Sequence, residues 1–214
     1  MRYLITFSYD GTNYAGYQKQ PNLKTIQEEI EKALKYINNN NEVILQSSGR
    51  TDKKVHALKQ TAHFDLDVEI TENKLKRAIN SNTPKDIYII NAVCVEDEFH
   101  ARYMVKLKEY RYIINEGEYD PINRNYEFQY GRKLNIVNMK EAIKYLKNNK
   151  LIITFKGTGF MKYQVRNMVG ILIRVGEDKI LPIGVKEILE SKDRNKTGKT
   201  APAEGLYLVN VSYK

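Results

Sequence analysis

Ser48-Gly49-Arg50-Thr51-Asp52-Lys53-Lys54-Val55-His56-Ala57 is the stretch from which the rest of the chain can be read. Val43 to Leu45 before it and Gln60 to Val68 after it both carry strand-like patterning, so the ten residues are expected to form a loop at a sheet end. Loops held by rigid scaffolds are where chemistry concentrates. Gly49 permits backbone torsions closed to other residues, Arg50 offers a planar five-donor fork suited to phosphate, and Asp52 supplies a carboxylate ionised at neutral pH. An anion binder and a nucleophile thus stand two positions apart. The same residues would also make an ordinary solvated turn. The surrounding sequence has to decide between the two.

Working outward, Tyr3, Ile5, Phe7 and Tyr9 alternate with polar residues as a half-buried strand does, and Asp10-Gly11-Thr12-Asn13 ends it with turn chemistry. Thr25 and Glu28 have capping-box spacing ahead of Ile26, Ile30, Ala33, Leu34 and Ile37, which predicts a first helix. In the long strand that follows the central loop, Ala62, Phe64, Leu66 and Val68 share one face. Thr71 opens a second helix with Leu75, Ala78 and Ile79, and Ile87 to Val95 reads as another strand. The order strand, helix, strand, strand, helix, strand is that of a ferredoxin-like unit, an antiparallel sheet with helices on one face.

The second half repeats the mixture. A strand is expected from Lys106 to Ile114, containing Tyr110 and Tyr112; a third helix from Met139, Ala142, Ile143 and Leu146; and a strand from Leu151 to Phe155. Val165, Met168, Val169, Leu172 and Ile173 form the stripe of a fourth helix, leaving Arg166 and Gly170 together on a different face. Val185, Ile188 and Leu189 suggest a fifth helix, Lys192 to Thr200 an exposed basic loop, and Leu206 to Tyr213 a final strand. The expected class is α+β, with two similar lobes at 1–98 and 99–214.

At 214 residues the chain can bury a proper core. Its longest apolar run, Ile87 to Ile90, is far too short to span a bilayer, and its N-terminus alternates like a strand and not like a signal peptide; a cytoplasmic protein is expected. The single cysteine, Cys94, leaves no internal disulfide and is expected to be a buried core thiol. A net charge of +9 favours polyanionic partners, and sixteen tyrosines could serve as core or as platforms for bases. Gly198-Lys199-Thr200 resembles the end of a P-loop, but Asp193 stands where that motif needs glycine. His56, His63 and His100 have no metal-ligand spacing, so no metal is expected, and no nucleophile-elbow pattern supports a hydrolase built on Ser48, His56 and Asp52.

Gly49-Arg50-Thr51-Asp52 with Val55-His56-Ala57 resembles the active-site signature of the tRNA pseudouridine synthase A family, and five further blocks do the same in order. They are Tyr9-Asp10-Gly11-Thr12 with Tyr14, Gly16, Gln18 and Gln20; Phe99-His100-Ala101-Arg102; Tyr110-Arg111-Tyr112; Gly159-Phe160 with Gln164 to Gly170; and Thr200 to Leu208. The resemblance covers nearly the whole chain. It implies the pseudouridine synthase fold, with two ferredoxin-like lobes sharing a mainly antiparallel sheet around a basic cleft. It also implies a homodimer that isomerises uridines 38 to 40 of the tRNA anticodon arm without cofactor or metal. Asp52 would be the catalytic carboxylate, Tyr110 would lie against the uracil, Arg166 would pair with Asp52, and Arg50 would hold the flipped nucleotide by its phosphate. Thr51, Lys53, Lys54, His56, Arg102 and Leu206 join Arg50 as expected RNA contacts, with Leu206 and Met168 as apolar walls. His56 and His100 are also expected to be structural hydrogen-bonders, because this chemistry needs no histidine. The rivals are a noncatalytic RNA-binding or assembly factor that keeps the fold, and a synthase acting on another RNA.

The chain departs from the family pattern in three places. Lys53-Lys54 replaces a small residue and glycine, so the turn after Asp52 is expected to be made differently. A longer segment is missing around Asn148-Asn149-Lys150, and Tyr17 stands for tryptophan.

Overall fold

The computed structural model describes residues 1–139, 143–147 and 150–213, with side chains for all of these but 143–147. The chain forms two compact units, Met1–Glu109 with Tyr207–Lys214, and Tyr110–Leu206. The sequence placed a division at residues 98 and 99; the compact units divide eleven residues later, and the chain end returns to the first of them.

In the first unit the expected order is present as β1 (Arg2–Tyr9), α1 (Ile26–Ile37), β2 (Gln46–Ser47), β3 (His56–Asp65), α2 (Glu72–Asn82) and β4 (Ile87–Val95). β1 lies between β4 and β3 and is antiparallel to both, so Ile5 faces Ala92 on one side and Ala62 on the other. Tyr3, Ile5, Phe7 and Tyr9 are all buried, as their alternation requires. Ile26, Ile30, Ala33 and Leu34 of α1 and Leu75 and Ile79 of α2 supply the rest of this core. Each such burial contributes about 1.5–3 kcal/mol. Thr25 caps α1 by accepting the Glu28 N–H.

Beyond Leu206 the final strand, β9 (Leu206–Ser212), runs parallel to the start of β3, with Tyr207 opposite His56 and Leu208 opposite Ala57. The Tyr213 hydroxyl donates to the Ala101 carbonyl at 2.9 Å and so accepts from Thr61 Oγ1 at 2.6 Å. These bonds attach the chain end to the first unit.

β5 (Leu107–Asn115) enters the second unit, where β6 (Phe128–Gln129) pairs with its end and the order continues through β8 (Lys150–Gly157) to β7 (Ile143–Lys147). The helices α3 (Gln164–Gly176) and α4 (Pro182–Glu190) follow, and a short 3-10 turn spans Arg194–Thr197.

Several expectations need correction. The third helix is absent at 143–147, which form β7; Ala142 lies outside the described residues. Ile143 and Tyr145 alternate as well as they fit a helix, and pairing with β8 decided the matter. The strand placed at Val43 to Leu45 is the two-residue β2 just after it, and β3 starts at His56, four residues before Gln60, so His56 is a strand residue. Cys94 is exposed: it sits near the end of β4, the edge strand of its unit, with its N–H bonded to Glu72. In α3 the buried set is Val165, Val169, Gly170, Ile171, Val175 and Gly176, so the buried face is turned away from Met168, Leu172 and Ile173.

Candidate active site

In the first unit the loop from Ser48 to Val55 is clamped from three directions. From below, Gln60 of β3 accepts from the Ser48 hydroxyl at 2.6 Å and donates to the Gly49 carbonyl at 2.9 Å. Lys108 of β5 donates to the Ser48 carbonyl at 2.6 Å, and its burial pulls its pKa down, as does the charge of Arg102. From the core, the Tyr9 hydroxyl meets Thr51 Oγ1 at 2.8 Å, and both groups are buried. The third direction is the N-terminal loop. The Tyr17 N–H donates to the Thr51 carbonyl at 3.1 Å. Gly16, at φ +123°, passes so close that a Cβ there would lie 3.2 Å from Thr51 O and 3.3 Å from Lys53 N. A Cβ on Gly11 would lie 2.1 Å from the Val55 carbonyl oxygen. Neither position accepts a side chain. The Asp-Gly-Thr and Ala-Gly-Tyr turns read from the sequence are therefore the mould in which the aspartate loop is cast.

Asp52 itself is half-buried, and its carbonyl accepts the Val55 N–H at 3.2 Å, closing a four-residue turn. Lys54 takes φ +67° as the third residue of that turn, the position at which a type II turn favours glycine. Without glycine at this place, lysine adopts the left-handed backbone itself, at a cost of about 1–2 kcal/mol. Lys53 and Lys54 are exposed beside Asp52, as is Arg50, whose guanidinium has no hydrogen-bond or ion-pair partner among the described residues.

His56 follows this turn and is buried, stacked on Tyr207 at 4.9 Å. Its Nδ1 accepts the Gly11 N–H at 3.1 Å, which assigns its proton to Nε2. Asp10 Oδ1 lies 3.1 Å from the same Nδ1, but it already accepts from the Thr12 N–H and hydroxyl, and an accepting nitrogen has no proton to give it. His56 therefore fixes the loop's exit, as a structural hydrogen-bonder. His63 does similar work for the Phe99 to Arg102 block: its Nδ1 accepts the Ala101 N–H at 3.1 Å. His100 Nδ1 accepts the Arg102 N–H at 3.1 Å, and its Nε2 faces Gln46 Oε1 at 2.9 Å. Arg102 is exposed.

The second unit holds its own cluster. Tyr110 of β5 is 8 % exposed and meets Phe160 edge to face at 5.3 Å. Arg166, one turn into α3, donates from Nε to the Ala201 carbonyl at 2.7 Å, while the Ala201 N–H donates back to the Arg166 carbonyl at 3.2 Å. The reciprocal pair fixes the plane of the guanidinium. Gly170, the next turn of the helix, allows this contact: a Cβ there would stand 2.3 Å from the Lys199 carbonyl oxygen. The same loop is held at its far end by the Tyr112 hydroxyl, which donates to the Pro202 carbonyl at 2.6 Å, and by Gly205, packed on Tyr112 and Ile113 O. Leu206 is buried at the end of it.

Among the described residues no group of three or more His, Cys, Asp or Glu could hold a metal ion, and no helix is long and apolar enough to cross a membrane. Gly170, one turn on from Arg166, was expected to let another backbone approach closely and does so, whereas Lys108, Gln60 and the docking role of Gly11 and Gly16 went unread in the sequence. Lys108 had a signal, a lysine on the face of β5 that Tyr110, Tyr112 and Ile114 pattern for burial; the contacts of Gly11 and Gly16 had none.

The family model described as tRNA pseudouridine synthase matches residues 5–104 and 125–214. The chain belongs to the tRNA pseudouridine synthase family, and it is an isomerase. The proteins named tRNA pseudouridine synthase A from Streptococcus pyogenes serotype M49 (strain NZ131) and serotype M1 are each 39% identical to it over 247 aligned positions, covering 100% of this chain and 99% of the relative. With 247 positions against 214 residues, the alignment leaves 33 positions that this chain does without.

Proposed function

We propose that this enzyme converts uridine to pseudouridine at positions 38 to 40 of the tRNA anticodon arm, acting as a homodimer. Asp52 is the catalytic carboxylate. It attacks the target nucleotide, or removes a sugar proton that is later returned; either way the N1–C1′ bond breaks, the uracil turns while held, the C5–C1′ bond forms, the C5 proton leaves and the freed N1 takes up a proton. No atom is gained or lost overall. Arg166 acts at the same nucleotide by keeping the carboxylate ionised, since a neighbouring guanidinium favours the charged form. Tyr110 lies against the uracil and helps remove the C5 proton. Arg50 holds the extruded nucleotide by its phosphate, as base flipping requires, with Thr51, Lys53, Lys54 and Arg102 contributing to RNA binding, buried His56 supporting the aspartate loop, and Leu206 lining the uracil pocket.

The observation that carries this reading is the immobilisation of the aspartate loop. Gly11, Gly16, Tyr9, Gln60 and Lys108 all spend their contacts on a loop whose carboxylate-bearing residue is itself only half-buried. Such rigidity suits a preorganised catalytic group and is superfluous for a phosphate contact. The test uses tRNA labelled with tritium at uracil C5. Wild-type protein should release tritium at the target uridines, and Asp52→Asn should release none while binding tRNA within a few-fold of wild type. Turnover by Asp52→Asn equal to wild type would remove Asp52 from the mechanism.

A further inference from the structure

Three cations converge on one aromatic ring in the second unit. Lys162 Nζ lies 5.0 Å from the Tyr163 ring centroid, and the guanidinium carbons of Arg166 and Arg194 each lie 5.4 Å from it. Cations within about 6 Å of an aromatic face are attracted by its quadrupole, but three of them also repel one another. No ion pair relieves Lys162 or Arg194 among the described residues, and both are exposed. The nearest acid in sequence, Asp193, accepts the Asn195 N–H instead. Tyr163 has φ +61°, in the left-handed region, and caps α3 without a side-chain hydrogen bond. A tyrosine there costs about 1 kcal/mol or more relative to a relaxed backbone, and capping gives no reason for it.

We propose that Lys162 and Arg194, gathered by the ring of Tyr163, form a binding site for a backbone phosphate of the substrate RNA. Calling the polyanion RNA rests on the functional reading above; the phosphate chemistry does not. The ammonium and the guanidinium bring eight N–H donors to a phosphodiester whose charge removes their mutual repulsion. The ring is a positioning residue, and because the guanidinium that Ala201 orients also packs on it, Arg166 and the grip on the RNA backbone share one neighbour.

The test is filter binding of an unmodified tRNA transcript across a salt series, beside thermal melting. Lys162→Ala and Arg194→Ala should each weaken binding about fivefold at 0.15 M salt and flatten log K against log [salt] by about 0.9, the loss of one phosphate contact. Their melting temperatures should be unaltered. Tyr163→Gly should hold or raise the melting temperature, because glycine accepts this φ, yet lose affinity; Tyr163→Phe, which keeps the ring, should bind as wild type does. Wild-type affinity and salt slope in the Lys162→Ala/Arg194→Ala double variant would overturn the site, as would unchanged binding by Tyr163→Gly. Tritium release separates the two readings. Release by wild type with no slope change in the variants removes the phosphate site alone. A slope change with no release from any RNA supports the site and removes the catalytic reading.

Discussion

Acidification should unfasten the first unit at His63, by an amount that can be worked out. The ring is 2 % exposed, accepts the Ala101 N–H at Nδ1 and packs at 4.7 Å against His100. Burial, then the charges that His100 and Arg2 carry, hold its pKa down at about 4, with Asp65 opposing weakly. Unfolded, the ring titrates near 6.5. The folded state therefore binds fewer protons between pH 6.5 and 4, and stability rises with pH across that window. The contribution is fully present above pH 6.5 and is lost as pH falls towards 4. A depression of that size corresponds to about 3 kcal/mol at the limit, most of which disappears between pH 7 and pH 4.5. That is a large part of the stability of an ordinary domain.

Urea unfolding at pH 7, 6, 5 and 4.5, for wild type and for His63→Gln, isolates this contribution. Glutamine keeps an acceptor for Ala101 but does not titrate. The variant should be less stable at pH 7 and should lose about 2 kcal/mol less than wild type on going to pH 4.5. The common losses, such as protonation of Asp65, whose pKa is lowered chiefly by its hydrogen bond from Arg2, cancel in the difference. Parallel pH curves for the two proteins, or an NMR titration placing His63 near 6.5 in the folded state, would refute the reasoning. Since His63 anchors Ala101, the RNA binding proposed for the neighbouring Arg102 should weaken over the same window.

Three further substitutions have opposed local and tertiary consequences. Gly170→Ala would normally stabilise a helix interior by about 1 kcal/mol, but here its Cβ must displace the Lys199 carbonyl and with it the Arg166–Ala201 pair, so melting should show a net loss of about 2 kcal/mol or more together with a fall in turnover. Lys54→Gly should raise stability by up to about 1 kcal/mol, and Lys54→Val should lower it, since a β-branched residue fits φ +67° worst; thermal melts of the pair check the sign. Arg166→Lys keeps the charge but loses the Nε donor that fixes the side chain to Ala201, so tritium release should fall at least tenfold, and release near the wild-type rate would show that charge alone suffices.

What could be read from the chain alone follows a physical division. Alternation along β1 and the 3.6 period of α1 report burial directly, and both elements form where the pattern puts them. Ile143 to Lys147 carried both periods at once, so local pattern had no means of choosing, and pairing with β8 chose. Cys94 sits in the apolar run Ala92 to Val95 but lies near the end of an edge strand, where an apolar run no longer implies cover. The site residues were legible as separate strings, while the reason for their company was not. Gly11 meets Val55 and Gly170 meets Lys199, contacts separated by 44 and 29 positions that no periodicity encodes.

The two lysines after Asp52 make the same point from the other side. Lysine is a poor residue for a left-handed turn position, yet the turn forms, because Gly16 N-terminal to it, the Tyr9 hydroxyl and the Asp52–Val55 bond determine the backbone more strongly than about 1–2 kcal/mol of left-handed strain opposes it. The mould lies in residues 9–17, and the loop it shapes tolerates a poor residue because none of the shaping contacts involves that residue's side chain. Charged side chains can therefore stand next to the Asp52 carboxylate while contacts made elsewhere hold the backbone that carries it.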